Sequence, residues 1–266
     1  MITLIHPEID PVILSFGNIA IRWYGLSYVI GFLLGYILIK KINKYLNEPL
    51  KEKIIEELFI WITLGVIIGG RIGYILFYQT DLLFYDPIKV FYVWQGGMSF
   101  HGGLIGVIIS LIIFSNIKKV NFFILSDFVS TTVPIGIFFG RIANFINIEL
   151  YGRTTSFYFA MIYPSIDMER RHPSQLYEAF FEGFVLFFLL FAIVRYNFER
   201  KKYGINSAIF LVIYGTFRFL LEFLREPDSH LGLFFNQMTM GQILCVPMIL
   251  VGIIIYFQKN RTNEIK

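Results

Sequence analysis

The chain has 266 residues, of which 56% are hydrophobic and only 16% are charged. Soluble globular proteins average about 45–50% apolar and about 25% charged residues, so this composition excludes an ordinary soluble domain and indicates an integral membrane protein. The formal net charge of +4 arises mainly from lysines beside apolar runs, where anionic lipid attracts them. It does not indicate a nucleic-acid partner.

Seven apolar stretches are long enough to cross a bilayer as helices, which need about 20 residues each. No repeat and no long linker divides the chain. The sequence therefore predicts an all-α, polytopic membrane protein with a single domain over residues 1–266. The predicted spans are 19–39, 55–77, 99–116, 122–146, 175–195, 206–224 and 240–257.

Lysine and arginine are concentrated in alternate loops, and short loops rich in these residues stay on the cytoplasmic side of a membrane. Basic residues fill the first loop, 40–53, and recur at 118–119, at 195–202 and in the C-terminal tail. The N-terminal segment has neither lysine nor arginine before Arg22. We therefore expect the N-terminus outside the cell and the C-terminus in the cytoplasm.

Two segments outside the predicted spans, about 78–98 and 147–174, are then external. Both are rich in aromatic residues, which commonly anchor a protein at the depth of the lipid headgroups. The second segment carries Arg153, Arg170 and Arg171 against the charge trend. Either this segment folds back to the membrane surface, or its arginines serve a site.

Polar side chains interrupt the apolar run 206–224. Tyr214, Arg218, Glu222 and Arg225 are spaced by four, four and three residues, so they share one face of a helix. Arg218 and Glu222 can pair at i,i+4, which lowers the cost of burying both charges. Such a pair either holds helices together or fixes a guanidinium group that binds phosphate.

Arg141 lies near the end of the fourth predicted span. An arginine at the centre of a membrane helix costs about 2.5–3.5 kcal/mol on insertion scales, so Arg141 must face protein, water or an anionic ligand. Asn144 shares its helix face, and a guanidinium with a carboxamide suits phosphate oxygens. Glu149 is placed to orient Arg141 or Arg153. The alternative is a helix end that only extends its arginine to the membrane surface.

His101 enters the third span within the glycine-rich run 96–103. Imidazole suits proton transfer near neutral pH, although a lone membrane histidine often serves only as a structural hydrogen-bond donor. The glycines here and in the second span favour close helix packing, or leave backbone amides open to an anion. The four histidines lack metal-ligand spacing, and the single cysteine, Cys245, lies in an apolar run. The sequence predicts no metal site.

The run from Gly140 to Gly152, with Arg141, Asn144 and Glu149 in place, resembles the signature of bacterial prolipoprotein diacylglyceryl transferases. The resemblance extends in the same order over nearly the whole chain. One departure is Ile148, where the family often has glycine. The other matching runs are 6–11, 22–25, 69–74, 96–103, 171–178, 214–228 and 238–242.

The resemblance implies a seven-helix enzyme of the bacterial inner membrane. Such an enzyme moves the diacylglyceryl group of phosphatidylglycerol to the thiol of the lipobox cysteine in a prolipoprotein, releases glycerol phosphate and needs no cofactor. Its active site faces the external leaflet, and the reaction is the first step of lipoprotein maturation.

The same resemblance implies roles for the matched residues. His101 would accept the thiol proton, Arg141 and Arg218 would stabilise the departing phosphate, and Glu222 would orient Arg218. An alternative proton acceptor is the phosphate itself, assisted by Arg218. The matched positions implied in substrate binding are Tyr24, Arg141, Asn144, Glu149, Gly152, Tyr214, Glu222 and Arg225.

Two other classes of protein compete with an enzyme. A lipid transporter needs a polar route across both leaflets, whereas the matched polar groups lie toward the external half. A purely structural membrane subunit leaves His101, Arg141 and Arg218 without a purpose. The enzyme is therefore the favoured interpretation.

Overall fold

The structure is a computed structural model that describes residues 4–16, 19–92, 97–227 and 238–261. It is mostly helical, as predicted. A 3₁₀ turn, Pro87–Phe91, follows α3, and a π-helical segment, Ala179–Val185, joins α6 to α7. Within the described ranges the α-helices are α1 (Trp23–Tyr45), α2 (Glu52–Tyr78), α3 (Asp81–Tyr85), α4 (Phe100–Lys118), α5 (Phe122–Ile146), α6 (Ser174–Glu178), α7 (Leu186–Glu199), α8 (Ile205–Leu221) and α9 (Met240–Arg261).

Short strands, which the all-α prediction does not include, lie before α1 and between α5 and α6. They are β1 (Leu4–Ile5), β2 (Val12–Phe16), β3 (Ile19–Arg22), β4 (Met161–Tyr163) and β5 (Asp167–Arg171). β1 pairs in parallel with β4, which pairs antiparallel with β5, while β2 and β3 form a hairpin. Strands this short give almost no alternating pattern to detect in the sequence.

Five helical stretches of the described chain are long and apolar enough to cross a membrane, which confirms the expected multi-span membrane protein. Two shorter apolar helices coincide with the other two predicted spans, and the total of seven spans stays a prediction. The first helix begins at Trp23 rather than at residue 19, because the residues before it form β3. The five stretches are Trp23–Tyr45, Glu52–Leu76, Phe122–Ile146, Ser174–Glu199 and Met240–Asn260.

The chain divides into two compact units. The first unit consists of Met1–Leu38 with Asp127–Lys266, and the second consists of Ile39–Ser126. Both small sheets and helices α6 to α9 belong to the first unit, whereas α2, α3 and α4 belong to the second.

In the second unit, α2 packs on α4 through glycines of both helices. A Cβ atom added at Gly69 would lie 2.7 Å from the Cα atom of Gly106, and one added at Gly73 would lie 2.6 Å from that of Gly102. With no side chains between them, the two backbones are in direct contact, as small residues allow in membranes. The packing interpretation of these glycines is confirmed.

The buried Arg71 of α2 also has a structural explanation. Its guanidinium group donates hydrogen bonds to the carbonyl oxygens of Lys89 at 2.6 Å and Gly97 at 3.3 Å. These bonds attach the segment that follows α2 to the helix itself. The charge of Arg71 is therefore compensated within the second unit by backbone carbonyl dipoles.

In the first unit, a buried carboxylate fixes the start of α8 against α5. Asp127 of α5 accepts hydrogen bonds from the backbone N–H groups of Gly204 at 2.6 Å and Ser207 at 2.8 Å, and from the Ser207 hydroxyl at 2.7 Å. A carboxylate is favourable here because the first N–H groups of a helix have no partners within the helix. This contact fixes α8, which carries Arg218, to α5, which carries Arg141.

His6 attaches the N-terminal segment to the end of α5. Its Nδ1 atom accepts a hydrogen bond from the backbone N–H of Glu8, so its Nε2 atom carries the proton and donates to the carbonyl oxygen of Phe145 at 2.9 Å. The ring stacks on Tyr163 at 5.3 Å and is 2% exposed. Because burial disfavours the charged form, the pKa of His6 lies below its ordinary value of 6.5.

We expect Gly69→Ala to destabilise the second unit by roughly 1–3 kcal/mol, the usual effect of overpacking. The added methyl group collides with the backbone of α4. Thermal unfolding in detergent measures the effect. The matched control is Gly35→Ala in α1, where an added Cβ atom has no neighbour within 4 Å. Equal unfolding temperatures for the two variants would contradict the backbone contact.

We also expect the first unit to lose stability as the pH falls through 6.5. The unfolded chain takes up a proton at His6 near that pH, whereas the folded chain resists it because the folded pKa is lowered. Stability is therefore complete above pH 6.5 and declines below it. Unfolding temperatures between pH 5 and pH 8 test this, and His6→Gln, which cannot titrate, should flatten the profile. An equally steep decline in His6→Gln would exclude His6 as a source of the effect.

Candidate active site

Five charged side chains of the first unit lie together, and we call them the arginine–glutamate cluster. Arg141 comes from α5, Glu178 from the end of α6, Glu182 from the π-helical segment, Arg218 from α8 and Glu222 from the position after α8. Arg141, Arg218 and Glu222 are predicted site residues, and the structure brings them together through two glutamates that were not predicted.

Glu178 forms a bridge between the two arginines. Its Oε2 atom lies 3.0 Å from Nη1 of Arg141, and its Oε1 atom lies 2.7 Å from Nη1 of Arg218. The side chain has no exposed surface. One carboxylate therefore holds guanidinium groups from two helices next to each other.

Glu182 makes looser contacts with the same two arginines. Its Oε2 atom accepts a hydrogen bond from Nη2 of Arg141 at 3.3 Å, and its Oε1 atom lies 4.0 Å from Nη1 of Arg218. Glu182 belongs to the π-helical segment, a type of helix that often occurs at functional sites. It is also fully buried.

The predicted ion pair between Arg218 and Glu222 is confirmed, with 2.6 Å between Nη2 and Oε2. The side chains of Arg141 and Arg218 remain 16% and 12% exposed. Each side chain thus keeps a small accessible surface while its charge is compensated by carboxylates. Two adjacent planar donors of this kind match the oxygens of a phosphate group.

Tyr214 lies one helical turn before Arg218 and is buried. Its ring stacks on Phe210 with 5.5 Å between centroids. Tyr214 interacts electrostatically with Glu182 and Arg141. The structure therefore places this predicted residue beside the cluster.

The loop after α5 holds Glu149 in a different way from that predicted. Its carboxylate accepts hydrogen bonds from the side-chain amides of Asn144 at 3.0 Å and Asn147 at 3.3 Å. Arg141 pairs with two other glutamates, and Nε of Arg153 donates to the carbonyl oxygen of Arg225. The prediction that Glu149 orients either arginine is therefore wrong, because the two asparagines are its partners.

Gly152 joins this loop to the segment that follows α8. Its N–H group donates to the carbonyl oxygen of His172 at 2.9 Å, and it pairs with Arg225 in an antiparallel bridge. A Cβ atom at this position would lie 2.6 Å from the Cβ atom of His172. Only glycine fits here. The contact brings the buried Arg225 within electrostatic range of Glu178.

Arg171 fastens the same two segments from the side of β5. Its guanidinium group binds Asp167 at 2.6 Å and Glu226 at 3.2 Å, and it donates to the carbonyl oxygen of Gly152 at 3.2 Å. The hydrogen bonds that it donates lower the pKa of Asp167. Two of the arginines that run against the charge trend, Arg153 and Arg171, thus connect parts of their own segment to the end of α8.

Tyr24 and His101 are the predicted residues farthest in sequence from the cluster. The hydroxyl of Tyr24 lies 3.3 Å from that of Tyr28, which interacts electrostatically with Arg141 and Glu149. His101 lies in the first turn of α4, in the second unit, and its side chain is outside the described residues. Its predicted role stays a prediction.

The sequence contained one signal for the missed residues. Glu178 and Glu182 are acidic residues four positions apart in a predicted membrane span, 175–195. A carboxylate at this depth needs a partner, and three arginines were already assigned to the site. Within the described part of the chain, no set of three His, Cys, Asp or Glu side chains is placed to hold a metal ion.

We expect Ile148→Gly to stabilise the loop after α5 by up to about 1 kcal/mol. Ile148 has φ of 57°, a left-handed conformation that costs a side chain bearing Cβ about 1–2 kcal/mol. Unfolding temperature in detergent is the measurement. The matched control, Ile146→Gly, removes the same side chain from the last turn of α5 and should destabilise. A comparable loss in both variants would exclude strain at Ile148.

Comparisons with known proteins agree over almost the whole chain. Residues 11–258 match the family model described as prolipoprotein diacylglyceryl transferase. A relative from Rickettsia typhi is 48% identical over 250 residues, covering 94% of this chain and 96% of the relative. One from Rickettsia felis is 48% identical over 96% of this chain and 98% of the relative. One from Rickettsia bellii is 49% identical over 93% and 94%, respectively.

All three relatives carry the name phosphatidylglycerol–prolipoprotein diacylglyceryl transferase. The family match covers far more than half of the chain and extends from the hairpin before α1 into α9. It therefore includes every element that contributes to the arginine–glutamate cluster. This chain belongs to the prolipoprotein diacylglyceryl transferase family.

Proposed function

We propose that this protein transfers the diacylglyceryl group of phosphatidylglycerol to the lipobox cysteine of prolipoproteins, the first step of bacterial lipoprotein maturation. The observation that carries the proposal is the 48–49% identity to transferases of that name over at least 93% of the chain. The paired guanidinium groups of Arg141 and Arg218 support it, because the lipid substrate carries a phosphate.

The reaction forms a bond between the cysteine sulfur and a glycerol carbon, and it breaks the bond from that carbon to a phosphate oxygen. The thiol, whose ordinary pKa is about 8.5, must lose its proton to attack. We assign the proton to His101. The electron pair of the broken bond stays on glycerol phosphate, which leaves with an additional negative charge.

Arg141 and Arg218 stabilise that charge in this proposal. Preorganised donors aimed at developing charge are usually the largest contribution to catalysis. Glu222 and Glu178 hold Arg218 by ion pairs of 2.6 and 2.7 Å, so the guanidinium needs little reorganisation when the phosphate departs. The two arginines are the proposed catalytic donors.

The other predicted residues line or shape the substrate site in this proposal. Asn144 holds Glu149, Gly152 brings the segment of Arg225 close to the cluster, Tyr214 interacts with it from α8, and Tyr24 contacts Tyr28, which interacts with Arg141. Each of these contacts joins two groups of the protein. We therefore assign these residues to forming the site that binds the lipid headgroup.

We further propose a single transferase domain in the bacterial inner membrane, with seven spans, an external N-terminus and a cytoplasmic C-terminus. The distribution of basic loops supports this orientation. It places the end of α5, where Arg141 lies, at the external leaflet. The external segments, about 78–98 and 147–174, then lie on the side from which exported prolipoproteins are reached.

The test is the mass of a lipobox peptide after incubation with purified protein and phosphatidylglycerol in detergent. A diacylglyceryl mass gain on this peptide, absent from a cysteine-to-serine peptide, is the expected result. No gain with folded, lipid-bound protein would contradict the proposed reaction.

We expect Arg141→Ala and His101→Ala each to reduce the transfer rate by at least about 100-fold, the usual effect of removing a stabilising donor or a proton acceptor. Both proteins should still insert in the membrane. The matched control is Arg195→Ala, which removes an exposed arginine that pairs with Glu199 in α7, and it should transfer at the normal rate. A variant with wild-type rates would remove that residue from the mechanism.

A further inference from the structure

The two buried glutamates of the cluster differ in how firmly they hold the arginines. The oxygens of Glu178 lie 2.7 and 3.0 Å from guanidinium nitrogens, whereas those of Glu182 lie 3.3 and 4.0 Å away. By hydrogen-bond geometry, Oε1 of Glu182 and Oε2 of Glu178 both accept no hydrogen bond from the described residues, so the ion-pair distances are what distinguish the two glutamates. Both side chains are fully buried, so Glu182 is the less well compensated anion.

Together with Arg225, the charges of the cluster are already balanced before any ligand binds. Glu178, Glu182 and Glu222 supply three carboxylates, and Arg141 with Arg218 supplies two guanidinium groups. Arg225 lies within electrostatic range of Glu178 and adds a third positive charge. A lipid phosphate brings one more negative charge into a buried site, where unpaired charge is costly. One of the three carboxylates must therefore lose its ion pair with an arginine when the phosphate binds.

We infer that Glu182 is a displaceable counter-ion of Arg141, which the phosphate of the lipid substrate replaces, whereas Glu178 is the permanent bridge between the arginines. This inference rests on the proposed function for the identity of the anion. Glu182 is a positioning residue in this account, since it acts on the phosphate only through Arg141.

The Glu182 carboxylate can move from Arg141 towards Arg218. When Nη2 of Arg141 turns to the phosphate, the Glu182 carboxylate loses its contact at 3.3 Å. Its other oxygen is already 4.0 Å from Nη1 of Arg218, so a movement of about 1 Å reaches hydrogen-bond distance. Glu178 cannot move in this way, because its two oxygens lie 3.0 and 2.7 Å from guanidinium nitrogens of Arg141 and Arg218.

We therefore expect substitutions of the two glutamates to change the affinity for the lipid in opposite directions. Neutralising Glu182 removes the anion that competes with phosphate, so Glu182→Gln should bind phosphatidylglycerol about tenfold more tightly, equivalent to about 1.4 kcal/mol. Neutralising Glu178 releases two like charges from their bridge, so Glu178→Gln should bind it more weakly. The KM for phosphatidylglycerol should change in the same directions.

The experiment is an equilibrium titration of full-length protein in detergent with dioleoylphosphatidylglycerol, followed by native mass spectrometry. Dioleoylglycerol, which lacks phosphate, is the control ligand, and its affinity should not change. Glu182→Asp retains the charge and should gain no affinity. Glu182→Ala provides a second neutral variant in case Glu182→Gln does not fold. Glu199→Gln is the matched surface control, since Glu199 pairs with Arg195 in α7.

Unchanged or weaker phosphatidylglycerol binding by a folded neutral variant at position 182 would overturn the inference. Tighter binding of dioleoylglycerol as well would also overturn it, because the effect would not depend on phosphate. The titration needs no peptide and no turnover. If the wild-type protein transfers lipid but Glu182→Gln and wild type bind phosphatidylglycerol equally, only the role of Glu182 as a displaceable counter-ion is refuted. If the two bind it with clearly different affinity but the wild-type protein transfers no lipid, the proposed reaction is refuted.

Discussion

A carboxylate between two guanidinium groups organises this protein. Two positive charges about 4 Å apart repel by roughly 4 kcal/mol at an effective dielectric constant of 20, so Arg141 and Arg218 would not stay adjacent by themselves. Glu178 replaces this repulsion by two attractions. Three helical elements meet at that point, because Arg141 of α5 and Arg218 of α8 both depend on Glu178 of α6 for compensation of their charges.

The surrounding segments are joined by backbone groups as well as by the side chains of Arg153 and Arg171. Gly152 pairs with Arg225, and the loop after α5 is bound to Gln175 through the carbonyl oxygen of Glu149 at 2.7 Å. These contacts fix the loop after α5 beside the segment that follows α8. The charged side chains nearby can then be arranged around an anion, as the proposed transfer from phosphatidylglycerol requires.

Local sequence patterns predicted a good part of this arrangement. The span 122–146 coincides with α5, and the i,i+4 spacing of Arg218 and Glu222 predicted their ion pair. The partners of Arg141 were missed because they lie about 40 positions away in another helical segment, and helical periodicity carries no information on such contacts. Glu149 was assigned wrongly for a related reason, since proximity in sequence favoured an arginine where two asparagines are the actual partners.

The buried cap at Asp127 sets a limit on how the chain length can vary. It fixes the start of α8 at Gly204 and Ser207, about 16 Å along the helix from Arg218 at 1.5 Å per residue. An inserted or deleted residue between these points would turn the guanidinium by about 100° around the helix axis, away from Glu178, whereas Glu222, four residues further along, would turn with it. Between Ser207 and Arg218 the number of residues is therefore as constrained as their identity, and insertions are tolerable only where loops can absorb them.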